Sequence, residues 1–259
     1  MLKNCLIFNR FLRALTAAVL VSQFQGPLSA GPPYFTDDPE PVEYGHSELY
    51  IASQSMVTRG TADVTMPHVE FNYGLIPGVQ VHVIAPFKYA KEAGASGHFG
   101  PGDMELGIKW RFLNESGPVP MMGVFPLVVV PTGNEKSGLG DGRTRYFLPL
   151  WLQKKWGKWS SYGGGGCWID AGARGINSWN AGWQVQRELT GSVSAGAELF
   201  YRTPIEGWGR NGIGFNAGVV IDFGESHHLL LSAGRDIRGP NEFTGYISYQ
   251  YTTGPGGSE

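Results

Sequence analysis

Apolar and polar residues alternate strictly along the C-terminal part of the chain. From Ile213 to Phe223 every second residue is apolar, and the residues between them are glycine, asparagine, valine or aspartate. The same alternation recurs in 229–234 and 243–251, and glycine-containing turns separate the three runs. Since successive side chains of a strand point to opposite faces, this pattern predicts three consecutive strands with no helix between them.

Comparable runs begin at Tyr44, and together they predict twelve strands. Single-chain bacterial barrels have an even number of strands, each apolar toward lipid and polar toward the lumen. The sequence therefore predicts an all-β protein, a transmembrane antiparallel up-and-down β-barrel. The predicted strands cover residues 44–57, 63–73, 78–90, 102–114, 120–130, 146–156, 159–171, 181–189, 192–203, 212–223, 227–237 and 242–252.

The connections between these strands alternate between short and long. Outer-membrane barrels have short periplasmic turns and longer extracellular loops, whereas a soluble sandwich has no reason to alternate. The alternation therefore places both termini in the periplasm. The short connections are 75–78, 115–119, 157–158, 190–191 and 224–226, and the longer ones are 91–101, 131–145, 173–180 and 204–211.

Charged residues share one face of the predicted strands. In the strand near 102–114, Leu106, Ile108 and Trp110 point one way, and Lys109 and Arg111 point the other. A charge in hydrocarbon costs several kcal/mol, so the charged face is expected to line the lumen. Aromatic residues lie toward strand ends, as interfacial girdles require: Tyr73, Phe87, Tyr89, Trp110, Phe112, Trp151, Trp156, Trp159, Trp183 and Tyr201.

The chain ends differ from this barrel region, 44–252. Residues 1–30 carry a basic start, a short apolar run and a small-residue cleavage site at Ala30, which predicts a Sec signal peptide. A membrane anchor helix would need a longer apolar run. Residues 31–43 are rich in proline and acid, and are expected to form an irregular tail or lumen plug. Residues 253–259 form a polar tail.

Composition changes this picture little. The net charge of −2 argues against nucleic acid as a partner. The 39 glycines and 13% aromatic residues suit many strands with tight turns. Cys167 is the one cysteine beyond the predicted signal peptide, so we expect no internal disulfide.

Several stretches resemble a known family. They are GPPYFTDDPEPVEYGH (31–46), GDMELGIKWRF (102–112), FPLVVVPTG (125–133), LPLWLQK (148–154), YGGGG (162–166), GAELF (196–200) and HLLLSAG (228–234). In order and spread, the chain resembles the outer-membrane barrels named for the MetA pathway of phenol degradation. The resemblance implies an outer-membrane barrel that passes small organic molecules.

Charged residues of lumen parity are the candidate binding residues. They are Glu70, Lys88, Glu105, Lys109, Arg111, Glu198 and Arg202. They predict either a charged constriction that selects solutes or a paired network that fills a narrow barrel. In the first case Lys88, Lys109 and Arg111 form a basic stripe beside acidic residues, and Asp37 and Asp38 of the plug dock against it.

Other chemistry has weaker support. His68, His82 and Glu70 could bind a metal, although hydrogen-bonded lumen residues are the more common arrangement. His228 and Ser232 share a face, but four strand residues separate them by about 13 Å, which is too far for a hydrolase pair. The glycines at 163–166 lack the residues of a phosphate loop and suit the close approach of a bulky neighbour.

These observations predict a channel or transporter for small organic, aromatic or hydrophobic solutes in the bacterial outer membrane. We expect no enzymatic activity, metal or cofactor. The expected partners are outer-membrane lipid, the solute and the barrel-assembly machinery. The alternatives are a structural barrel with a closed lumen and a membrane-embedded lipid hydrolase.

Overall fold

The structure is a computed structural model that describes residues 32–171, 178–203 and 211–254. Its strand segments are β1 Ser47–Val57, β2 Ala62–Ile76, β3 Val79–Lys91, β4 His98–Pro101, β5 Met104–Leu113, β6 Met121–Val124, β7 Leu127–Val130, β8 Arg145–Trp156, β9 Trp159–Asp170, β10 Ser178–Thr190, β11 Val193–Arg202, β12 Gly212–Asp222, β13 His227–Arg238 and β14 Phe243–Thr253. One 3₁₀ turn, Glu135–Ser137, lies in the loop before β8.

The segments form a closed antiparallel barrel. Each strand pairs with its neighbours in sequence, and β1 pairs with β14 from Ser47↔Thr253 to Val57↔Phe243, which closes the sheet. Segments β4 and β5 both pair with β3, and β6 and β7 both lie between β5 and β8. The fourteen segments therefore make twelve strands, two of them interrupted, and the predicted fold class is confirmed.

The interruptions account for two of the differences from the predicted bounds. Pro126 has no N–H to donate to a ladder, and the strand predicted for 120–130 breaks there. The fourth strand begins at His98, so the connection predicted for 91–101 ends within a strand. The predicted signal peptide, 1–30, and residues 255–259 of the predicted tail lie outside the described residues.

The two faces of the wall have opposite polarity. Leu106, Ile108 and Trp110 are exposed on the outside of β5, while Lys109 between them is 4% exposed. Polar side chains are likewise buried inside along other strands: Asn72, Gln80, His82, Gln153, Gln184, Glu198, Asn216, Thr244, Ser248 and Gln250. An apolar outer surface around a polar interior suits a wall that faces hydrocarbon. Among the described residues, no helix has the length and hydropathy to cross a membrane.

An aromatic cluster lies inside the barrel, and the prediction for one of its members was wrong. Trp151 was expected in the outer girdle, but it is 3% exposed and packs with Phe125 and Phe147. Phe147 also stacks on Trp168, with ring centroids 4.7 Å apart. Bulky apolar residues, with Pro149 among them, occupy both faces of β8. The usual alternation of apolar and polar residues is therefore missing, and parity alone could not orient this strand.

Candidate functional site in the barrel lumen

Residues 32–43, called the lumen segment below, lie inside the barrel. The segment enters at the end of the barrel that carries the short turns, where the Gly45 N–H donates to the Gly74 carbonyl and the Gly74 N–H donates to the His46 carbonyl. Thr36 and Asp38 are almost completely buried, at 1% and 0% exposure. The segment thus runs from the mouth of the barrel into its interior.

Side chains of the barrel wall form hydrogen bonds with several backbone groups of the lumen segment. The Glu198 carboxylate accepts hydrogen bonds from the Phe35 and Thr36 N–H groups, both at 2.8 Å. Gln80 Oε1 accepts from the Val42 N–H at 2.8 Å, and Ser232 Oγ donates to the Pro33 carbonyl. Buried backbone groups need partners, and a proline-rich segment cannot obtain them from a ladder.

Charged contacts with the barrel wall hold residues 37–40 of the lumen segment. Lys109 Nζ lies 3.0 Å from Asp37 Oδ1 and 3.7 Å from Asp38 Oδ2. Nearer the mouth, Lys155 Nζ and Gln153 Nε2 both donate to Glu40 Oε2, at 2.7 and 3.0 Å. Each of these wall residues projects inward from a strand, so the wall and the segment form one ionic network.

Burial raises the pKa of Asp38 to about 8. The Lys109 ammonium lowers this pKa, whereas the neighbouring Asp37 and Glu40 carboxylates raise it further. One cation therefore faces two adjacent carboxylates, and the proton on Asp38 relieves their repulsion.

Glycines of the barrel wall leave the space that the lumen segment occupies. A Cβ at Gly182 would collide with Thr36 Oγ1, and one at Gly123 would lie 3.0 Å from Pro39 Cβ. A Cβ at Gly196 or Gly218 would lie 2.9 or 3.0 Å from the Tyr34 hydroxyl. Inward glycines therefore mark the contact line of the segment along the wall, a role that alternation alone did not reveal.

An acidic network occupies the wall beside the segment. His82 Nε2 lies 3.2 Å from Glu105 Oε1, and His82 Nδ1 lies 3.6 Å from Glu70 Oε1. Asn72 donates to Glu70 at 2.9 Å, and its amide oxygen lies 2.6 Å from His82 Nδ1. This network is buried between β2, β3 and β5, on the side of the lumen that carries Lys109.

The expected basic stripe is not present as a continuous row. The sheet register sets Lys109 opposite Gln80, eight residues along β3 from Lys88, a distance of about 26 Å. Lys88 instead pairs with Asp63 at 2.8 Å. Arg111 forms no ion pair within the described part of the chain, so Lys109 alone of the three contacts the docked acids.

Arg202 belongs to a separate cluster near the opposite mouth. Its guanidinium lies 3.0 Å from Asp236 Oδ1 and 2.6 Å from Glu242 Oε1. The same guanidinium lies 5.9 Å from the Phe35 ring centroid and 5.4 Å from that of Phe200. The tip of the lumen segment therefore contacts this cluster through an aromatic ring.

The geometry bears on the metal and hydrolase hypotheses. In the described ranges no group of three or more His, Cys, Asp or Glu residues could hold a metal ion. His228 Nδ1 lies 2.7 Å from Asp222, whereas the Ser232 hydroxyl donates to Pro33, so the two do not form a nucleophile–base pair.

Gly163 lies beneath the Trp183 ring, which agrees with the predicted close approach of a bulky neighbour.

Several contact residues were missed by sequence reasoning. Gln80, Gln153 and Lys155 contact the lumen segment. Neutral polar residues of lumen parity are too numerous to single out, and Lys155 lies in β8, a strand that parity could not orient. Their contacts depend on where the segment lies, and strand periodicity carries no information about that.

Comparison with known proteins supports the fold. No protein-family model matches the chain, and neither does any curated protein. A solved structure, the COG4313 outer membrane channel from Pseudomonas putida F1, is similar with a TM-score of 0.66 and 18% identity, over 86% of this chain and 100% of that one.

Two porins are also similar. The KdgM porin, solved in complex with disordered oligogalacturonate, has a TM-score of 0.57 and 10% identity over 79% of this chain and 98% of its own. The NanC porin has a TM-score of 0.55 and 7% identity over 78% of this chain and 98% of its own. At these identities the likeness shows a shared barrel fold.

Proposed function

We propose that the protein is an outer-membrane channel or transporter for small organic solutes, and that the lumen segment closes it. The observation that carries the proposal is the attachment of the segment. Side-chain contacts such as Lys109–Asp37 and Glu198–Thr36 hold it inside a wall that is already closed by β1 and β14. The fold likeness to outer-membrane channels and porins supports the same role.

The interior suits a solute with both apolar and polar parts. Phe125, Phe147 and Trp151 form an apolar inner sector. The buried Glu70 and His82 lie on the sector that holds the acidic network. The two sectors adjoin, since the ring centroids of Phe125 and His82 lie 5.2 Å apart. Aromatic side chains next to hydrogen-bonding groups would orient a small aromatic or hydrophobic molecule that carries a polar group.

Single-channel recording in planar bilayers tests the closure. We expect low conductance from the intact protein and a clear increase when residues 31–41 are deleted, because deletion removes Asp37, Asp38 and the backbone that fills the lumen. Heat-modifiable migration on gels would verify that the deleted form still folds as a barrel.

The alternative is a structural barrel with a closed lumen. That function predicts a silent bilayer for both the intact and the deleted protein. A deleted form that folds and yet conducts no ions would therefore contradict the channel proposal.

Uptake into vesicles tests the solute class. Vesicles that contain the deleted protein should take up a monocyclic aromatic alcohol faster than a sugar of similar mass. Trp151→Ala should reduce this difference, since it removes a large ring from the apolar inner sector. Equal uptake of both solutes would contradict the aromatic preference while leaving the channel role intact.

A further inference from the structure

An arginine interrupts the apolar outer surface of β10. Arg187 is exposed and lies between Val185 and Leu189, which are 39% and 53% exposed on the same face of the strand. The intervening Gln186 is 4% exposed and projects into the lumen. The Arg187 guanidinium therefore projects outward from the barrel, among side chains that face hydrocarbon.

Arg187 lies near the end of the barrel that carries the short turns. About 10 Å of strand separates it from Thr190, the last residue of β10. The sheet register sets Arg187 opposite Trp159, which in turn lies opposite Trp156. The two indoles are exposed on the outside, Trp159 at 41% and Trp156 at 50%. Tryptophan is enriched where hydrocarbon meets the lipid headgroups, so this row of the wall lies at headgroup depth.

Among the described residues, the positive charge of Arg187 has no acidic partner. Its guanidinium forms no ion pair in that part of the chain. The guanidinium carbon instead lies 5.1 Å from the centroid of the Trp159 ring. A ring face attracts and orients a cation, and it leaves the fork of guanidinium N–H donors available for an anion.

The neighbouring charges are paired with one another. Glu188 follows Arg187 in the chain, but its carboxylate lies 3.8 Å from Lys158 Nζ. Lys154 Nζ lies 2.7 Å from Glu115 Oε1. An arginine without an acidic partner at the edge of hydrocarbon needs an anion from its surroundings, since an unpaired charge is costly there.

We propose that Arg187, stacked over Trp159, binds the phosphate group of a glycerophospholipid in the membrane around the barrel. The fork of guanidinium N–H donors matches phosphate oxygens in a bidentate contact. Val185 and Leu189 flank the guanidinium, so its ligand must also cover apolar surface. A phospholipid combines a phosphate with acyl chains, whereas a free phosphate ion would leave this surface uncovered. The loop lengths predict that this end of the barrel faces the periplasm, so the site would belong to the periplasmic leaflet.

Native mass spectrometry of the refolded, delipidated protein in a neutral detergent tests the site. The probe is phosphatidylglycerol, and diacylglycerol with the same acyl chains is the control that lacks the phosphate. Arg187→Gln should raise the dissociation constant of the first bound phosphatidylglycerol about tenfold, because charge-assisted hydrogen bonds to the phosphate are lost. Binding of diacylglycerol should not change.

Three further variants separate the contributions of charge, geometry and ring. Arg187→Lys keeps the charge but loses the bidentate geometry, so it should bind with intermediate affinity. Trp159→Leu keeps the apolar surface but removes the ring that orients the guanidinium, and should weaken binding about threefold. Arg235→Gln is the matched control, because Arg235 is exposed near the opposite end of the barrel and already donates to Asn241. It should leave phosphatidylglycerol binding unchanged.

A second measurement locates the phosphate in bilayers. With isotope-labelled arginine, solid-state NMR detects dephasing of guanidinium carbons by nearby phosphorus nuclei. The sequentially assigned Arg187 signal should be dephased in phosphatidylglycerol bilayers, and Trp159→Leu should reduce the effect. Since this measurement starts from the wild-type protein, it tests the site even if Arg187→Gln fails to fold.

Equal phosphatidylglycerol affinity of the wild type and Arg187→Gln would overturn the inference, and so would equal losses in Arg187→Gln and Arg235→Gln. An Arg187 signal that phosphorus does not dephase would overturn it as well. The inference needs only a wall that faces lipid and does not require the barrel to conduct. A failure here would therefore leave the proposed function standing.

Discussion

Lys109 connects the barrel wall to the lumen segment through ion pairs. Its ammonium contacts Asp37 and Asp38, and its side chain is 6% exposed. Removal of one partner from a buried ion pair costs about 3–5 kcal/mol, since the remaining charge is left unpaired. Lys109→Met should therefore release the segment and raise single-channel conductance.

Arg111 provides the matched control on the same strand and face. It forms no ion pair with the lumen segment among the described residues, so Arg111→Met should leave conductance near the wild-type level. Equal increases from the two substitutions would show that closure depends on the general charge of the lumen rather than on the Lys109 contacts.

Asp38 should make docking of the lumen segment dependent on pH. Its pKa is about 8 in the docked segment, against an ordinary value of 3.8 that the released segment should have. Between these values the docked state holds one more proton, so docking is most stable at low pH and weakens as the pH rises through this window. Conductance should therefore be greater at about pH 9 than at about pH 5.

Asp38→Asn isolates this effect from the other titrating groups near the segment, which include Asp37, Glu40, Glu70 and His82. The amide has no proton to lose, so the variant should show a clearly reduced pH dependence in the same recordings. An unchanged pH profile would assign the dependence to other ionisable groups of the segment or the wall.

Phe215 tests the outer surface of the wall. It is exposed on the apolar face of β12, where an arginine near the midplane should destabilise the barrel by about 2–4 kcal/mol. Phe215→Leu keeps an apolar side chain and should cost far less. Refolding titrations into lipid vesicles measure both, and similar costs would contradict a lipid-facing position.

At the scale of elements, the line of inward glycines defines where the segment fits. A side chain at Gly182 would meet Thr36 of the segment before it meets the neighbouring strand. Gly182→Val should therefore displace the segment and raise conductance while the barrel still folds. Gly191, in the turn after β10, has no atom within 4 Å of an added Cβ and supplies the control.

The measurement is single-channel recording alongside thermal unfolding of the barrel. If Gly182→Val lowers the thermal stability of a protein that lacks residues 31–41, the glycine serves the wall rather than the segment. Full stability in that background would assign the glycine to the segment.

The order of the strands, and which residues of each strand face outward, could be predicted from the sequence to a large extent. Period-two patterning placed all twelve strands and correctly oriented β3, β5, β11 and β12, because lipid and lumen impose opposite polarity on alternate residues. The pattern failed at Trp151, where both faces of β8 carry bulky apolar residues.

The contacts of the site were much less predictable. Parity assigned Lys88, Lys109 and Arg111 to one face, but height along the barrel is fixed by strand register. Docking of the acids on Lys109 agreed with the hypothesis in part, since Arg111 takes no part in it. The path of a segment without regular structure depends on many weak contacts that leave no period in the sequence.

At the scale of the whole molecule, the two ends of the barrel should lie on opposite sides of the membrane. Cysteines introduced at Ser96 and Ser137, in a Cys167→Ala background, should react with an impermeant thiol reagent on intact cells. A cysteine at Lys158, in the short turn between β8 and β9, should remain unlabelled. Labelling of the Lys158 site alone would show that the barrel is inserted in the opposite direction.

The ladder that closes the barrel runs from Ser47 to Thr253, and the lumen segment contributes no strand to it in the described part of the chain. The barrel wall and the lumen segment are thus separate parts of the fold, connected through the chain near Gly45. Residues 32–43 can therefore be replaced as a unit. Changing their sequence should alter the diameter and charge of the pore without changes to the wall, so the barrel could serve as a scaffold for engineered nanopores.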